Sequence, residues 1–410
     1  MTSSWLDLPA DHPYGITALP YGVFSGADGV FSGADGVRRV GVRVGDQVLD
    51  LGAAAGSTGS GTARLWQQPS LNALLAEGKP AWESARAWIV GLLSDPELRA
   101  AVEPHLHHLS DVTLHLPVEV ADYVDFYASE HHATNVGRIF RPDGDALTPN
   151  WKHLPIGYHG RSGTVVVSGT DIRRPVGQRK PPTEDQPVFG PSVRLDIEAE
   201  LGFVVAGGTE LGSRVSVDEA SEHLFGVLAF NDWSARDIQA WEYVPLGPFL
   251  GKSFASSVGA WVTPMEALQA AKTPLQQQDP RPMDYLLGDD LFGLDIAIEV
   301  ELNGSVVARP PYSTMYWSPS QMLAHLTVNG ASLRDGDLFA SGTVSGPEAD
   351  QRGSLLELTW SGEQPITLPD GSTRTFLEDG DTVTIRYSAP GADGTRIGLG
   401  EVTGTILPAD

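Results

Sequence analysis

Residues 194–203 read RLDIEAELGF, and the spacing of their side chains decides what kind of fold the chain makes. Leu195, Ile197, Ala199 and Leu201 alternate with Asp196, Glu198 and Glu200. Successive side chains of a β-strand point to opposite faces, so this period of two places the three carboxylates on one face and the apolar residues on the other. Related stretches lie on either side: TVVVSGT from Thr164 before it, and LDIAIEVELNGSVV from Leu294, SLLELTW from Ser354 and DTVTIRYS from Asp381 after it. Helical spacing in this half is confined to roughly 125–138, 218–225, 233–242 and 318–328. Strand runs without regular helical alternation predict a mainly antiparallel sandwich or barrel-like core, not a doubly wound parallel sheet.

The upstream texture differs. Residues 21–37, YGVFSGADGVFSGADGV, hold the unit VFSGADG twice in tandem. Its Gly and Asp content predicts an extended loop or hairpin tip, and two copies are too few for a solenoid. The following RRVGVRVGDQVLDL, residues 38–51, predicts a β-hairpin turning at Gly45-Asp46. From Leu71, apolar residues recur at three and four, broken at Gly78-Lys79-Pro80 and Asp95-Pro96, which predicts helices. At 410 residues the chain exceeds what one core ordinarily fills. Two domains are expected: residues 1–115, a small β unit with helical additions, and residues 116–410, the β-rich remainder.

A formal charge of −25 argues against a nucleic-acid or anionic-membrane surface, since both need clustered Lys and Arg. An anionic substrate can still be held by local cations or a bound metal ion. The absence of cysteine excludes disulfides, thiolate metal sites and a cysteine nucleophile. No apolar run approaches the ~18 residues of a membrane span, and MTSSWLDLPADHPYG lacks the features of a signal peptide. A soluble cytoplasmic protein is expected. GPFLGKS, residues 247–253, has one residue too few for a phosphate loop, and GLGEVTG, residues 398–404, is one residue off a dinucleotide fingerprint. HLHH, residues 105–108, reads as a solvated helix end.

Four stretches can carry chemistry. The acids at 196, 198 and 200 either line a solvated strand face or, having no basic residue among them, bind a hard divalent cation through oxygen. In LFGVLAFNDWSARDIQAWEYVPLG, residues 224–247, Asn231 and Asp232 read as helix caps, and Asp232, Arg236, Gln239 and Tyr243 fall on one helix face lining a cleft. Lys252 is one of only five lysines and sits among apolar neighbours, placed to snorkel or to stabilise developing negative charge. In GSLLELTW, residues 353–360, Glu357 is the lone acid on a strand, and a cross-strand ion pair is its simplest use. The pair His131-His132, inside DFYASEHHATNVGRIFR from Asp125, fits metal ligation, a base beside a bystander, or two surface imidazoles.

Together with NWKHLPIGYHGR from Asn150, FASGTVSG from Phe339 and the run Asn231–Phe254, these stretches resemble the fumarylacetoacetate hydrolase family over essentially the whole chain. The resemblance implies a homodimer whose subunits have a small N-terminal β-barrel-like domain and a C-terminal mixed β-sandwich roll. It implies hydrolysis of the carbon–carbon bond of a diketo acid, 4-fumarylacetoacetate, with Ca²⁺ or Mg²⁺ as cofactor. Carried over by position, the metal ligands are Asp125, Glu198, Glu200 and Asp232. A second ion is implied near Asp232, Lys252 and Ser256, where Ser256 replaces the family's threonine. His132 is the implied base, Glu357 its partner acid, and Arg236, Gln239 and Lys252 the groups that handle the charged intermediate. Tyr127, Arg141, Tyr158, Gln239, Tyr243 and Thr343 are the implied substrate contacts. His131 is then the bystander and Asp196 no ligand. Related acylpyruvate or fumarylpyruvate hydrolases and 2-oxo acid decarboxylases share the carboxylate cluster; the Asn231–Phe254 run and the N-terminal domain favour fumarylacetoacetate.

Overall fold

A computed structural model describes residues 4–9, 11–26 and 36–410. The protein is mostly β with some helix, and two sheets hold it together. In the larger sheet the hydrogen-bonded order is Leu106–His108, Gln47–Asp50, Arg39–Val44, Tyr21–Gly26, Trp261–Pro264, Leu224–Asp232, Ala199–Val205, Leu338–Ala340, Tyr123–Phe126 and Gly157–His159. The path crosses from N-terminal to C-terminal residues where Tyr21 pairs with Val262. The smaller sheet runs Ser305–Ala308, Ala297–Leu302, Thr382–Pro390, Arg396–Leu407 and Ile172–Arg173. The N-terminal strands curl without closing a barrel: Val112–His115 pairs with Tyr21–Gly26, Leu106–His108 with Gln47–Asp50, and no ladder joins these two edges among the described residues.

The central strands Ala199–Val205 and Leu224–Asp232 are buried on both faces. Val204, Leu228 and Phe230 pack with N-terminal Val42, Leu49 and Trp66. From the other side Leu201, Phe203, Val227 and Ala229 join Ile385, Leu399 and Val402 of the smaller sheet. The acids of RLDIEAELGF are therefore interior groups, with Asp196, Glu198 and Glu200 at 0, 5 and 0% exposure. A solvated strand face is ruled out.

The hairpin Arg39–Val44/Gln47–Asp50 forms as expected, Gly45 supplying a positive φ of 58° at the turn. The tandem repeat begins in the strand Tyr21–Gly26, and residues 27–35 of it lie outside the described residues. Lys79–Ser94 is the longest helix of the predicted helical stretch and buries Trp82, Ile89, Leu92 and Leu93. No described helix is long and apolar enough to cross a membrane.

Four local expectations are corrected. SLLELTW is a helical turn, Leu355–Leu358, because Ser354 accepts the Glu357 N–H and Asp196 accepts those of Leu355 and Leu356. Asn231 and Asp232 end a strand and cap no helix; the helix begins at Arg236. The helical stretch expected at 218–225 is only a single turn, Ala220–Glu222, before the strand starts at Leu224. HLHH is no free helix end: Leu106–His108 pairs with Gln47–Asp50 and extends the sheet.

Tyr387 of the smaller sheet ties the two layers. Its buried hydroxyl reaches the carbonyl oxygens of cross-strand partners Glu200 and Phe230 at 2.7 and 2.9 Å. Tyr387→Phe leaves both carbonyls without that donor and is expected to cost about 1–3 kcal/mol. The measurement is a lower denaturant midpoint at unchanged m; an unchanged midpoint refutes the tie.

Candidate active site

Five buried carboxylates converge at one end of the central strands. The acidic stretch pairs with Ser234–Ala235 at Leu195–Asp196 and with Leu224–Asp232 at Ala199–Val205, so residues 197–198 bend between two pairings. Asp125 lies opposite Tyr158 on neighbouring strands, and Asp232 lies opposite Ser256. Carboxylate oxygens of Asp125, Glu198 and Asp232 lie within 4.8 Å of one another. Glu200 adjoins this trio, and its Oε2 accepts the Gly342 N–H at 3.1 Å. Gly342 has a φ of 78°, and a Cβ there would stand 2.2 Å from the Phe126 carbonyl oxygen, so only glycine brings that amide to Glu200.

Two buried cations face the acids. Lys252 Nζ donates to Glu198 Oε2 at 2.5 Å and to Asp232 Oδ2 at 2.8 Å. Arg236 Nη1 donates to Glu198 Oε1 at 2.7 Å, and its Nε to Asp196 Oδ2 at 2.8 Å. Burial pushes the Glu198 carboxyl up, but Lys252 and Arg236 outweigh burial and hold it well below the usual range. Ser256 and Tyr158 hydroxyls complete Asp232 at 2.7 and 3.1 Å. The snorkelling alternative for Lys252 is excluded, since its ammonium is buried between carboxylates.

Asp125 and Glu200 are not compensated in this way. Burial, then the charge of Asp232, pushes Asp125 well above the ordinary carboxylate range; burial, then Asp125, Glu198 and Asp232, does the same to Glu200. Among the described residues, Asp125 Oδ1 and Glu200 Oε1 are buried without a hydrogen-bond partner. Unpartnered hard oxygens beside converging carboxylates are what a divalent cation accepts, so the residues present fit Mg²⁺ or Ca²⁺.

Next to these acids lies a His–carboxylate pair. His132, on the helix Glu130–Phe140, is 3% exposed, and its Nδ1 is 2.7 Å from Glu357 Oε2. Glu357 is fully buried and also accepts from Asn135 Nδ2 at 2.9 Å, Ser345 Oγ at 3.0 Å and Ser354 Oγ at 2.8 Å. Burial raises the Glu357 pKa, but His132 and these donors outweigh it and hold the carboxyl below its ordinary value. With Nδ1–H directed at a carboxylate, the imidazole presents Nε2 as an acceptor. His131 is partly exposed, and among the described residues its side chain makes no hydrogen bond, so the adjacent histidines differ in surroundings.

The expected substrate contacts are placed unevenly. The partly buried Tyr127 packs edge-on against the His132 ring with centroids 5.3 Å apart. Its hydroxyl pKa is raised by burial and then by the charges of Glu357 and Glu198. Thr343 Oγ1 and Arg236 Nη2 are buried and have no hydrogen-bond partner among the described residues. Gln239 Oε1 is 3.4 Å from Arg236 Nη1. Arg141 is exposed and donates to the carbonyls of Asp145 and Ala146. Tyr243 does not share a helix face with Asp232: it is the half-exposed C-cap of the helix Arg236–Glu242.

The sequence reading missed Asn135, Ser345, Ser354 and the part played by Asp196. Two signals were available. Asn135 lies one helical turn from His132, and Ser354-x-x-Glu357 has the spacing of a helix start.

The sequence model for "Fumarylacetoacetate (FAA) hydrolase C-terminal" matches residues 122–407, and that for "Fumarylacetoacetase N-terminal" matches residues 17–117. The chain is similar to fumarylacetoacetase of Homo sapiens, 48% identical over 386 residues that cover 90% of this chain and 92% of that protein. It is similar also to fumarylacetoacetase of Arabidopsis thaliana, 46% identical over 90% of this chain and 91% of that protein. Among solved structures, fumarylacetoacetate hydrolase from Exiguobacterium antarcticum aligns with a TM-score of 0.55 at 17% identity, covering 95% of this chain and 99% of that chain, a likeness of fold.

The fit of the acids to a cation is tested without turnover. Adding Mg²⁺ or Ca²⁺ to chelator-treated protein should raise its stability, by about 2.7 kcal/mol at a hundredfold excess over Kd, and Glu200→Ala should abolish the rise. Because the raised Asp125 and Glu200 carboxyls must lose protons to bind, affinity should increase with pH. A calorimetric titration showing no proton release, or a cation response surviving Glu200→Ala, refutes the assignment.

Proposed function

The chain belongs to the fumarylacetoacetate hydrolase family, and from that premise we propose that it hydrolyses 4-fumarylacetoacetate to fumarate and acetoacetate, in the breakdown of tyrosine and phenylalanine. It is a hydrolase of carbon–carbon bonds in ketonic substrates. The observation that carries the mechanism is the buried His132–Glu357 pair beside the carboxylate cluster, at 2.7 Å.

Asp125, Glu198, Glu200 and Asp232 would hold Mg²⁺ or Ca²⁺, with Ser256 and the Lys252 backbone near a second ion. A bound divalent cation supplies an anchor for the two oxygens of the β-diketone and polarises the carbonyl under attack. His132 Nε2 takes a proton from water, whose oxygen bonds to the carbonyl carbon; Glu357 keeps the imidazole in the required tautomer and steadies its positive form. Collapse of the tetrahedral oxyanion breaks the carbon–carbon bond, the electron pair leaves as the acetoacetate enolate, and the proton on His132 returns to carbon.

Negative charge on these intermediates needs donors fixed in advance. Lys252 has a third N–H beyond the two given to Glu198 and Asp232, Arg236 has its unpartnered Nη2, and Gln239 adds an amide. Thr343 and the phenols of Tyr127 and Tyr158 position the substrate, and Arg141, with Tyr243 at the cleft's rim, receives its far carboxylate.

The protein acts as a cytoplasmic homodimer in this reading. The loop after the helix Arg236–Glu242 supports association, since Val244, Leu246 and Phe249 are 65, 97 and 58% exposed. Apolar residues so exposed in one run are better explained by a covering partner than by solvent.

Two assays check this reading. Loss of the diketone absorbance should be rapid with fumarylacetoacetate, slow with fumarylpyruvate and suppressed by a chelator; activity on fumarylpyruvate alone sinks the substrate assignment. His132→Ala should lower kcat about 10³-fold or more while cation binding persists, whereas His131→Ala should stay within about threefold of wild type; the reverse ranking overturns the assignment of the base.

A further inference from the structure

Asp196 belongs to the acidic strand yet differs from its neighbours in how it is used. It is fully buried, and both oxygens are saturated by donors. Oδ1 accepts the N–H groups of Ile197 and Leu355, each at 2.7 Å. Oδ2 accepts the Leu356 N–H at 3.0 Å and Arg236 Nε at 2.8 Å. By contrast Asp125 Oδ1 and Glu200 Oε1 have no partner.

The partners connect the two halves of the site. Leu355–Leu358 is a single helical turn, too short to hold itself together, and its leading N–H groups have no intrahelical acceptors. Asp196 takes two of them and Ser354 Oγ takes the third, that of Glu357. The turn carrying Glu357 is therefore pinned to the acidic strand, 159 residues away in sequence. The same carboxylate grips Arg236 by Nε, which leaves Nη1 for Glu198 and Nη2 free.

We propose that Asp196 is a positioning residue for the reaction: one carboxylate sets the acid that orients the base and the guanidinium that receives developing charge at a fixed separation. The inference rests on the assignment of His132–Glu357 as the base pair. Its physical content is that all four partners of Asp196 are donors. Asn in its place brings an NH₂ that faces a donor in either orientation, so the Glu357 turn or Arg236 must shift. A displacement near 1 Å at groups acting on the reacting atoms costs on the order of 10² in rate.

The test uses Asp196→Asn, Glu357→Gln and the double variant, each assayed for kcat, KM and thermal unfolding. Asp196→Asn should lower kcat about 10²-fold with KM within about threefold. In the Glu357→Gln background it should cost about tenfold or less, because most of its effect passes through Glu357. If Asp196→Asn does not fold, Asp196→Glu, which keeps the charge on Arg236, should show the same loss of kcat. Near-wild-type kcat in a folded variant, a loss confined to KM, full multiplication of the two defects, or failure of both variants to fold overturns the proposal. Wild-type turnover by Glu357→Gln would instead overturn the base pair itself.

Discussion

The structure turns on the burial of charge without enough countercharge. Asp125, Asp196, Glu198, Glu200 and Asp232 are all at most 5% exposed, and the cations buried among them are Arg236 and Lys252. Removing an ion from water costs several kcal/mol even in a relaxed protein, so each acid needs a partner or must lose its charge. Arg236 and Lys252 settle the matter for Asp196, Glu198 and Asp232. Asp125 and Glu200 remain, and a divalent cation would let both stay ionised. Until one binds, protonation is the way out, which is why their carboxyls are pushed up.

The fold supplies the setting that this arrangement requires. Central strands buried on both faces exclude water from the acids, and exclusion of water strengthens every contact among them. The polar residues that remain are held at strand ends and in the turns around Gly342 and Ser354, where backbone N–H groups are free to point at carboxylates. The net charge of −25 is a sum over the whole chain, whereas the local balance at the buried acids is set by Arg236 and Lys252.

How far the site was readable depended on sequence distance. Strand alternation at 194–203 exposed the acids and the β character, and the helical spacing from Leu71 exposed the N-terminal helices, because each signal is local. The partner of each acid was not readable, since Arg236 meets Asp196 across 40 residues and Glu357 meets His132 across 225. GSLLELTW shows the limit most clearly. Its apolar spacing fits a strand as well as a turn of helix, and the deciding contacts come from Asp196, far outside any local window. The Asp232–Tyr243 stripe failed similarly: four residues at helical spacing describe one face only if the helix includes them all, and the strand continues to Asp232.

The adjacent histidines show how little sequence separates a buried, paired imidazole from a partly exposed one. His131 and His132 share a helix and a charge type, but the helix turns about 100° per residue and sends one imidazole inward and the other toward solvent. Around the inner one's partner, Glu357, stand Asn135 from the same helix and Ser345 and Ser354 from the segments that precede the Glu357 turn, all donating to one carboxylate. A carboxylate so held stays ionised despite full burial, and an ionised carboxylate keeps Nδ1 protonated and Nε2 open. The orientation of the His132 imidazole thus depends on Glu357 and its donors, carried on a single turn of helix anchored on Asp196.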